Sequence, residues 1–413
     1  MRRVDTLIVG AGHAGLAMSR CLSDRGVDHV VLERGSVGER WRTARWDSFR
    51  LLTPNWLSRL PGCAYAGPEP DGFMTAGELA GYLSAYAGSF HAPVQPYTTV
   101  VRLEHNGSGF TVHTTQGLWA ARSVVVATGF HSDARIPALA AGLSGDVAQV
   151  SSSAYRSPSQ LAEGGVLVAG ASASGIQIAG ELARAGRAVH LAVGCHTRLP
   201  RRYRGHDILW WLDRVGTLDR TIDQAADADA ARTEPSLQLV GTADGRGLDL
   251  GVLQGMGVRL TGRLRALDGT VADFADDLAT TVDSAQRRLD RVLGEIDRYA
   301  AEHPESAGTD PDPPPVIAVP ATPDRLDMTS AGISTVLWAT GYRPRYAWLG
   351  VPVLDGDGCI RHRRGVTDVP GLYAIGLRFQ HRRSSTFIDG ARHDAAYLTE
   401  YMTRGHDIWT TST

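Results

Sequence analysis

Short apolar runs, glycine-rich turns and helically spaced stretches alternate along this chain, and they do so twice in the same way. Residues 5–35 (DTLIVGAGHAGLAMSRCLSDRGVDHVVLERG) read as an apolar strand, a glycine turn, a helix and a second strand. Residues 165–194 (GVLVAGASASGIQIAGELARAGRAVHLAVG) repeat the plan, and one constant offset carries Gly10 onto Gly170, Gly15 onto Gly175 and Gly26 onto Gly186. A second duplication lies in VVVATGF (124–130) and VLWATGY (336–342), each a β-branched strand running into a small turn that lets backbone approach a ligand. Ala127, Thr128 and Gly129 close the opening unit, and Ala339, Thr340 and Gly341 mark the return of the chain to it. The pattern predicts an α/β fold with two Rossmann-like dinucleotide-binding domains. Residues 1–157 and 333–413 would form a discontinuous first domain. Residues 158–332 would form a second domain inserted into it, with a helical insert over about 206–303. The joints are a Ser/Pro-rich segment at Tyr155–Gln160 and a Pro-rich stretch, 304–323, that reads as a polyproline-like surface loop. Just before that loop, Leu278, Val282, Leu289, Val292 and Ile296 are spaced for one apolar helix face, suited to core or interface packing.

Such a unit carries a definite chemistry. The first glycine makes the tight turn, the third lets helix and strand pack closely, and the helix N-terminus offers free N–H groups and positive dipole to a pyrophosphate. In the first copy Gly10, Gly12 and Gly15, with His13 and Ala14 between them, form the turn, and Glu33 closes the second strand. A carboxylate there accepts hydrogen bonds from ribose hydroxyls and repels a 2′-phosphate, so the first site takes FAD or NAD. In the second copy Gly170, Ala173, Ser174 and Gly175 form the turn, Ser172 replaces the middle glycine, and Val193 stands where the acid would be. Arg198, Arg201 and Arg202 follow, with Arg204 close behind. Planar guanidinium forks suit phosphate, which points to NADPH; a solvated basic turn is the competing reading. Two units in one chain imply transfer between two nucleotides.

Residues 38–54 (GERWRTARWDSFRLLTP) are dense in Arg and Trp and follow neither helix nor strand periodicity. A loop just past a ribose-binding strand can cover FAD. Arg34, Arg40 and Arg50 would pair with pyrophosphate, Trp41 would lay flat apolar area beside the ring, and Leu52 and Thr53 continue the same wall, while Trp46 reads equally as packing. Near the C-terminus GLYAIGL (371–377) runs into Gly376, a basic turn (378–383) and Ser384, then a helix from about Ala391. The positive end of that helix would stabilise negative charge on a reduced flavin. In His206–Arg220, Trp210, Trp211 and Leu212 at helical spacing suit a pocket for an apolar or aromatic substrate, although an amphipathic core helix is the commoner explanation.

Composition narrows the classes. A chain of 413 residues accommodates two domains, and a net charge of −2 gives no reason to expect a nucleic-acid or acidic-membrane partner. The four cysteines are scattered without a CxxC pair, which points to a reducing compartment and no disulfide framework. The first strand begins almost at Met1, leaving no room for a signal peptide, and no apolar run approaches the ~20 residues that span a bilayer. A soluble, cytoplasmic protein without a resident metal is expected.

GAGHAGL, GERW…R…RLLTP, VVVATGF, VAGASASG, VLWATGYRP and GLYAIGL, in this order, resemble the class B flavoprotein monooxygenases, in particular the bacterial branch near flavin-containing and YUCCA-type monooxygenases. The resemblance covers nearly the whole chain outside 207–330. It implies a glutathione-reductase-like architecture in which one polypeptide binds FAD and NADPH. It also implies that one oxygen atom of O2 passes to a small organic substrate through a flavin C4a-(hydro)peroxide, the chemistry belonging to the cofactor and the shielding to the protein. The family's FxGxxxH fingerprint reads Leu143, Gly145 and Gln149 here. Asp47 resembles an active-site acid of the Baeyer–Villiger branch, and a surface turn would explain it equally well. A dithiol reductase with the same two domains needs a redox cysteine pair that this chain lacks. An NADPH oxidase or dehydrogenase without oxygen transfer and a redox-sensing regulatory flavoprotein stay open, as do the substrate, the atom oxidised and a homodimer.

Overall fold

The computed structural model describes the backbone of residues 1–410 and the side chains of residues 1–404, so the last three residues of the expected first domain lie outside the described residues. The first apolar run forms the strand Arg2–Val9, whose inner residues Leu7 and Ile8 are fully buried. Gly12 precedes the helix His13–Asp24, which buries Leu16, Met18 and Leu22. That helix stops at Gly26 (φ 65°), a left-handed residue that lets Val27 N–H reach back to the Leu22 carbonyl (3.0 Å). The chain then enters His29–Leu32, parallel to the first strand. Gly117–Val126 lies on the other side of Arg2–Val9, also parallel, and is the pivot of this sheet. Its N-terminal half pairs antiparallel with Phe110–Thr114, while its C-terminal half pairs parallel with the late strand Leu372–Ala374.

The second unit repeats the arrangement. Its sheet runs Arg259–Thr261, Val189–Ala192, Gly165–Ala169, Ile333–Trp338, Ala148–Ser151, every pair parallel. The three inner strands are almost wholly buried, as expected of parallel strands covered on both faces. Here the boundaries differ from those the sequence suggested. Ala148–Ser151 lies before the expected joint and Ile333–Trp338 was placed in the first domain, yet both are strands of the second sheet. The physical reason is a deeper repeat: Ala339 N–H bonds the Ala169 carbonyl (2.9 Å) just as Ala127 N–H bonds that of Val9 (2.9 Å). Each Ala-Thr-Gly turn therefore belongs to the glycine turn beside it; the chain touches the first sheet again at Leu349, bridged to Leu103, and contributes a strand to it at Leu372–Ala374.

The insert is helical in part. Ile208–Arg214 and the long helix Leu278–Glu302 pack together through Leu209, Trp211, Leu289 and Ile296. The Pro-rich stretch is extended over the second unit, pinned by buried Ile317 and by Arg198, which donates to the Pro315 carbonyl (2.7 Å). The last helix, Ile388–Thr410, starts three residues before the expected Ala391 and packs on His13–Asp24 through buried Ala391, Ala395 and Leu398.

Candidate dinucleotide-binding cleft

Both glycine turns open into one continuous cleft of about 2870 Å³ between the two units. At its first end Gly10 adopts φ 110°, and a Cβ there would sit 2.7 Å from the Ala127 carbonyl oxygen. Gly15 is fixed by the turn as well, because its Cβ would run into the Gly10 carbonyl. Gly12 is different: a Cβ would meet nothing within 4 Å and would project into the cleft. The second end has the same stereochemistry. Gly170 has φ 107° with the Ala339 carbonyl oxygen 2.5 Å from a would-be Cβ, and Gly175 abuts the Gly170 carbonyl. Ser172, Ala173 and Ser174 line the cleft there at the start of the helix Ala173–Arg184.

Glu33 is 8% exposed and held in advance: one carboxylate oxygen accepts from Ala11 N–H (2.7 Å), the other from Gly35 N–H (3.1 Å). Among the other expected residues, Gly10, Gly12, His13, Ala14, Arg34, Arg40, Trp41, Arg50, Leu52, Thr53, the two Ala-Thr-Gly turns and Gly376 all line the cleft. The polar atoms around it are short of acceptors. His13 Nε2 is buried without a partner. Burial pulls the His13 imidazole down to about 4. It pulls His131 down to about 3, helped by the neighbouring Arg45 and Arg40 guanidiniums, and Arg40 down to about 10. Cationic and donor groups gathered with unmet hydrogen bonds fit a ligand carrying diphosphates, and the glycine cradles leave backbone N–H groups for them.

Several expected residues have other partners. Arg198 is 2% exposed and spends its guanidinium on Asp249 (2.6 and 3.1 Å), Gln286 (2.7 Å) and the Pro315 carbonyl. Arg201, 3% exposed, pairs with Asp207 (2.5 Å), donates to the Leu52 carbonyl (2.8 Å) and lies over the Phe73 ring. Arg202 is exposed and donates to the Gly205 carbonyl. None of the three reaches the cleft, so the basic run is structural rather than a phosphate clamp. An arginine that does line the cleft is Arg263, two residues past the strand whose Thr261 carbonyl receives Val193 N–H. Asp47 faces solvent at the joint and is tied through its backbone N–H to the Arg156 carbonyl (2.9 Å), so the surface-turn reading holds. Trp211 is fully buried with Nε1 on the Tyr203 carbonyl (2.7 Å), and Trp210 stacks on His206 away from the cleft; of that triplet only Leu212 lines it. Ser384 is 2% exposed behind the turn that presents Arg383, Thr386, Phe387 and Ile388. Gln149 accepts from Trp338 Nε1 (3.0 Å) and so ties two strands of the second sheet together.

Beyond Arg263, sequence reasoning passed over Arg45, His131, Tyr342 and Arg378, all of which line the cleft. The Arg-dense loop was a visible signal for Arg45. The basic turn 378–383 contained Arg378 and the VLWATGY repeat ended in Tyr342, whereas nothing in local pattern marked His131, one residue beyond VVVATGF.

Behind the Arg383–Thr386 turn, Asp394 is fully buried beside Ser385 and Arg382, with His381 Nδ1 3.9 Å from its carboxylate. Burial pushes its carboxyl up to about 7. A raised carboxyl keeps its proton in the folded state where the unfolded chain has lost it, so its contribution to stability is full at low pH and is lost as pH rises from about 4 to about 7. Asp394→Asn should remove this slope and exceed the parent at pH 8 by on the order of 1–3 kcal/mol. Denaturant unfolding of both proteins at pH 5 and pH 8 checks it, and equal slopes would refute it.

A family profile described as pyridine nucleotide-disulphide oxidoreductase matches residues 7–208. An uncharacterized CzcO-like oxidoreductase of Geobacillus kaustophilus is 34% identical over 398 residues, covering 96% of this chain and 97% of its own. A probable indole-3-pyruvate monooxygenase, YUCCA4 of Arabidopsis thaliana, is 31% identical over 204 residues, about half of each chain (48% and 49%). In fold, the flavin-containing monooxygenase of Stenotrophomonas maltophilia matches at TM-score 0.68 and 20% identity over 98% of this chain and 99% of that one. No helix among the described residues is long and apolar enough to cross a membrane.

Proposed function

Because the chain belongs to the CzcO-like oxidoreductases, we propose that it is an FAD- and NADPH-dependent enzyme of the class B flavoprotein monooxygenase type, transferring one oxygen atom from O2 to a small apolar or aromatic organic substrate. The observation that carries this reading is the pairing of two like glycine cradles in one cleft, one closed by Glu33 and the other by no acid. The first cradle would hold FAD and the second NADPH, which together would supply hydride transfer and oxygen activation.

This chain's own residues bind, orient and exclude water. Gly12 and Gly15 would present backbone N–H groups to the FAD diphosphate, with Gly10, its own N–H bonded to the Leu32 carbonyl (2.8 Å), making the turn, while the pre-bonded Glu33 carboxylate would take the ribose. Arg263, which lines the cleft, would meet the 2′-phosphate of NADPH, in the part assigned from sequence to Arg198, Arg201 and Arg202. Leu52, Leu199, Leu212, Leu218 and Phe387 line the cleft from one apolar cluster, which would keep water from the reacting centre and receive an apolar body. The turn before Ile388–Thr410 faces the same space, with the positive end of a long helix behind it.

Purified yellow protein should consume NADPH, and a panel of apolar and aromatic metabolites under isotopically labelled O2 should yield at least one product carrying the label. Stoichiometric hydrogen peroxide with every substrate would indicate an oxidase instead, and negligible NADPH turnover a sensor.

A further inference from the structure

We infer that Arg45, carried by the flavin-binding unit, holds the diphosphate of the nicotinamide dinucleotide at the second glycine turn, so that each unit completes the other's cofactor site. The inference rests on a nicotinamide dinucleotide occupying that turn and is independent of oxygen transfer.

The loop bearing Arg45 lies on the second unit. Trp46 is 3% exposed within a cluster containing Tyr155, Val168, Ala171, Ile176 and Ala339, and Phe49 packs on the same cluster. Ala171 lies in the second glycine turn itself. Arg156, at the joint, donates to the carbonyls of Thr43 and Arg45, and Gln177, on the helix that follows the turn, donates to the Arg50 carbonyl (3.5 Å). These straps fix the loop at the mouth of the second cradle, and Arg45 lines the cleft there.

Its charge is uncompensated. The guanidinium lies over Trp41 (4.8 Å) and Phe49 (5.3 Å), Nε is buried without an acceptor, and Nη1 donates only to the neighbouring Ala44 carbonyl (3.0 Å). Among the described residues no carboxylate pairs with it. The groups it faces are Arg40, itself cationic, His131, kept neutral, and the Tyr342 hydroxyl after the second Ala-Thr-Gly turn. The nearby Asp133 is taken by Arg345 in two bonds (2.7 and 2.9 Å). Burial pulls the Arg45 pKa down, the mark of a cation held away from water without its anion. A guanidinium so held, with a flat aromatic face behind it, is a built receptor for a dianion. Arg40, on the same loop, is already engaged, its guanidinium donating to the carbonyls of Ser132 (3.0 Å) and His131. Arg45 has no acceptor beyond the neighbouring Ala44 carbonyl, and its loop is strapped to the second unit beside the turn in which Ser172 replaces a glycine.

The test is equilibrium binding to the FAD-loaded enzyme by calorimetry. Arg45→Gln should weaken NADP⁺ and NAD⁺ by the same factor, about ten- to hundredfold for loss of a charged hydrogen-bonding partner, with flavin content and adenosine 2′-phosphate affinity unchanged. Arg45→Lys should recover part of the loss. Flavin lost while NADP⁺ affinity is unchanged would assign Arg45 to the FAD diphosphate and overturn the inference. A loss confined to NADP⁺ would assign it to the 2′-phosphate, with the same consequence, and unchanged affinities would also overturn it. Neither dinucleotide binding the parent enzyme would remove the premise itself. If the variants do not fold, the parent suffices: NADP⁺, but not adenosine 2′-phosphate, should shield Arg45 from an arginine-specific dicarbonyl reagent, read by peptide mass mapping. Equal labelling with and without NADP⁺ would refute the assignment.

Discussion

Gly12→Val should give a folded but colourless protein, whereas Gly15→Ala should scarcely fold at all. The contrast follows from where the two missing Cβ atoms would go. At Gly12 there is open cleft for 4 Å, so a valine strains nothing in the protein and stands where the FAD diphosphate must approach the backbone. At Gly15 a single methyl would collide with the Gly10 carbonyl, backbone that is itself held by the bond from Gly10 N–H to Leu32 (2.8 Å) and by the Ala127 turn. Relief requires parting the first helix from the sheet, at a cost in the upper range of point mutations, about 4–5 kcal/mol. The measurements are the flavin absorbance per protein chain and the circular dichroism melting curve. The expected result for Gly12→Val is flavin content near zero with the far-ultraviolet spectrum of the parent stripped of flavin. A yellow Gly12→Val protein would place the diphosphate elsewhere, and a stable Gly15→Ala protein would mean that the helix can stand off from the strand. The same pair of substitutions at the second copy, Ser172→Val and Gly175→Ala, should part in the same way, with NADPH binding in place of flavin content.

What was legible in the sequence and what was not divide along a physical line. Local rules mark a glycine turn, because the steric demand and the residue that meets it lie within a few positions; Gly10, Gly15, Gly170 and Gly175 were visible for that reason. Glu33 was visible because a fixed strand length places it. The Ala-Thr-Gly turns were seen as repeats but the second was assigned to the wrong sheet, since strand partnership is a long-range property: Ile333–Trp338 pairs with Gly165–Ala169 across the whole insert. The arginine run failed for a similar reason. Its acceptors, Asp249, Gln286 and Pro315, lie far along the chain, and only the folded insert brings them to Arg198. The tryptophans at 210 and 211 illustrate the commoner fate of aromatic residues at helical spacing, one buried in core and one stacked at the surface. Arg263 shows the converse: nothing in its local sequence marks it, and it lines the cleft only because its loop meets the domain seam.

Arg198→Ala is expected to cost stability rather than cofactor preference, and Arg263→Ala the reverse. Arg198 is a fully enclosed cation bonded to a carboxylate, an amide and a carbonyl that belong to three separate segments of the second unit. Removing one partner of such a pair leaves Asp249 facing an apolar void without its counter-charge, a change that costs about 3–5 kcal/mol in buried ion pairs. Asp249 also caps the short helix Leu250–Gly255 through Val252 N–H (3.0 Å), so its displacement would spread to that helix. The Pro-rich stretch would lose one of its anchors as well. None of these groups touches the cleft, so the ratio of kcat/KM for NADPH over NADH should stay as in the parent. Arg263 is exposed, its nearest acid, Asp277, is 3.7 Å away, and it stands at the strand end beside Gly194 and Cys195, the edge at which the ribose of the second nucleotide must lie. Its loss should leave unfolding unchanged and lower the NADPH/NADH ratio by about tenfold or more, through loss of one charge-assisted phosphate contact. Measuring both ratios and both unfolding curves separates the two roles. A fallen ratio with unchanged stability in Arg198→Ala would return that residue to the phosphate site. An unchanged ratio in Arg263→Ala would show that the second cradle tells the two nucleotides apart by other means, for which the backbone N–H groups at Gly194 and Cys195 are the nearest donors.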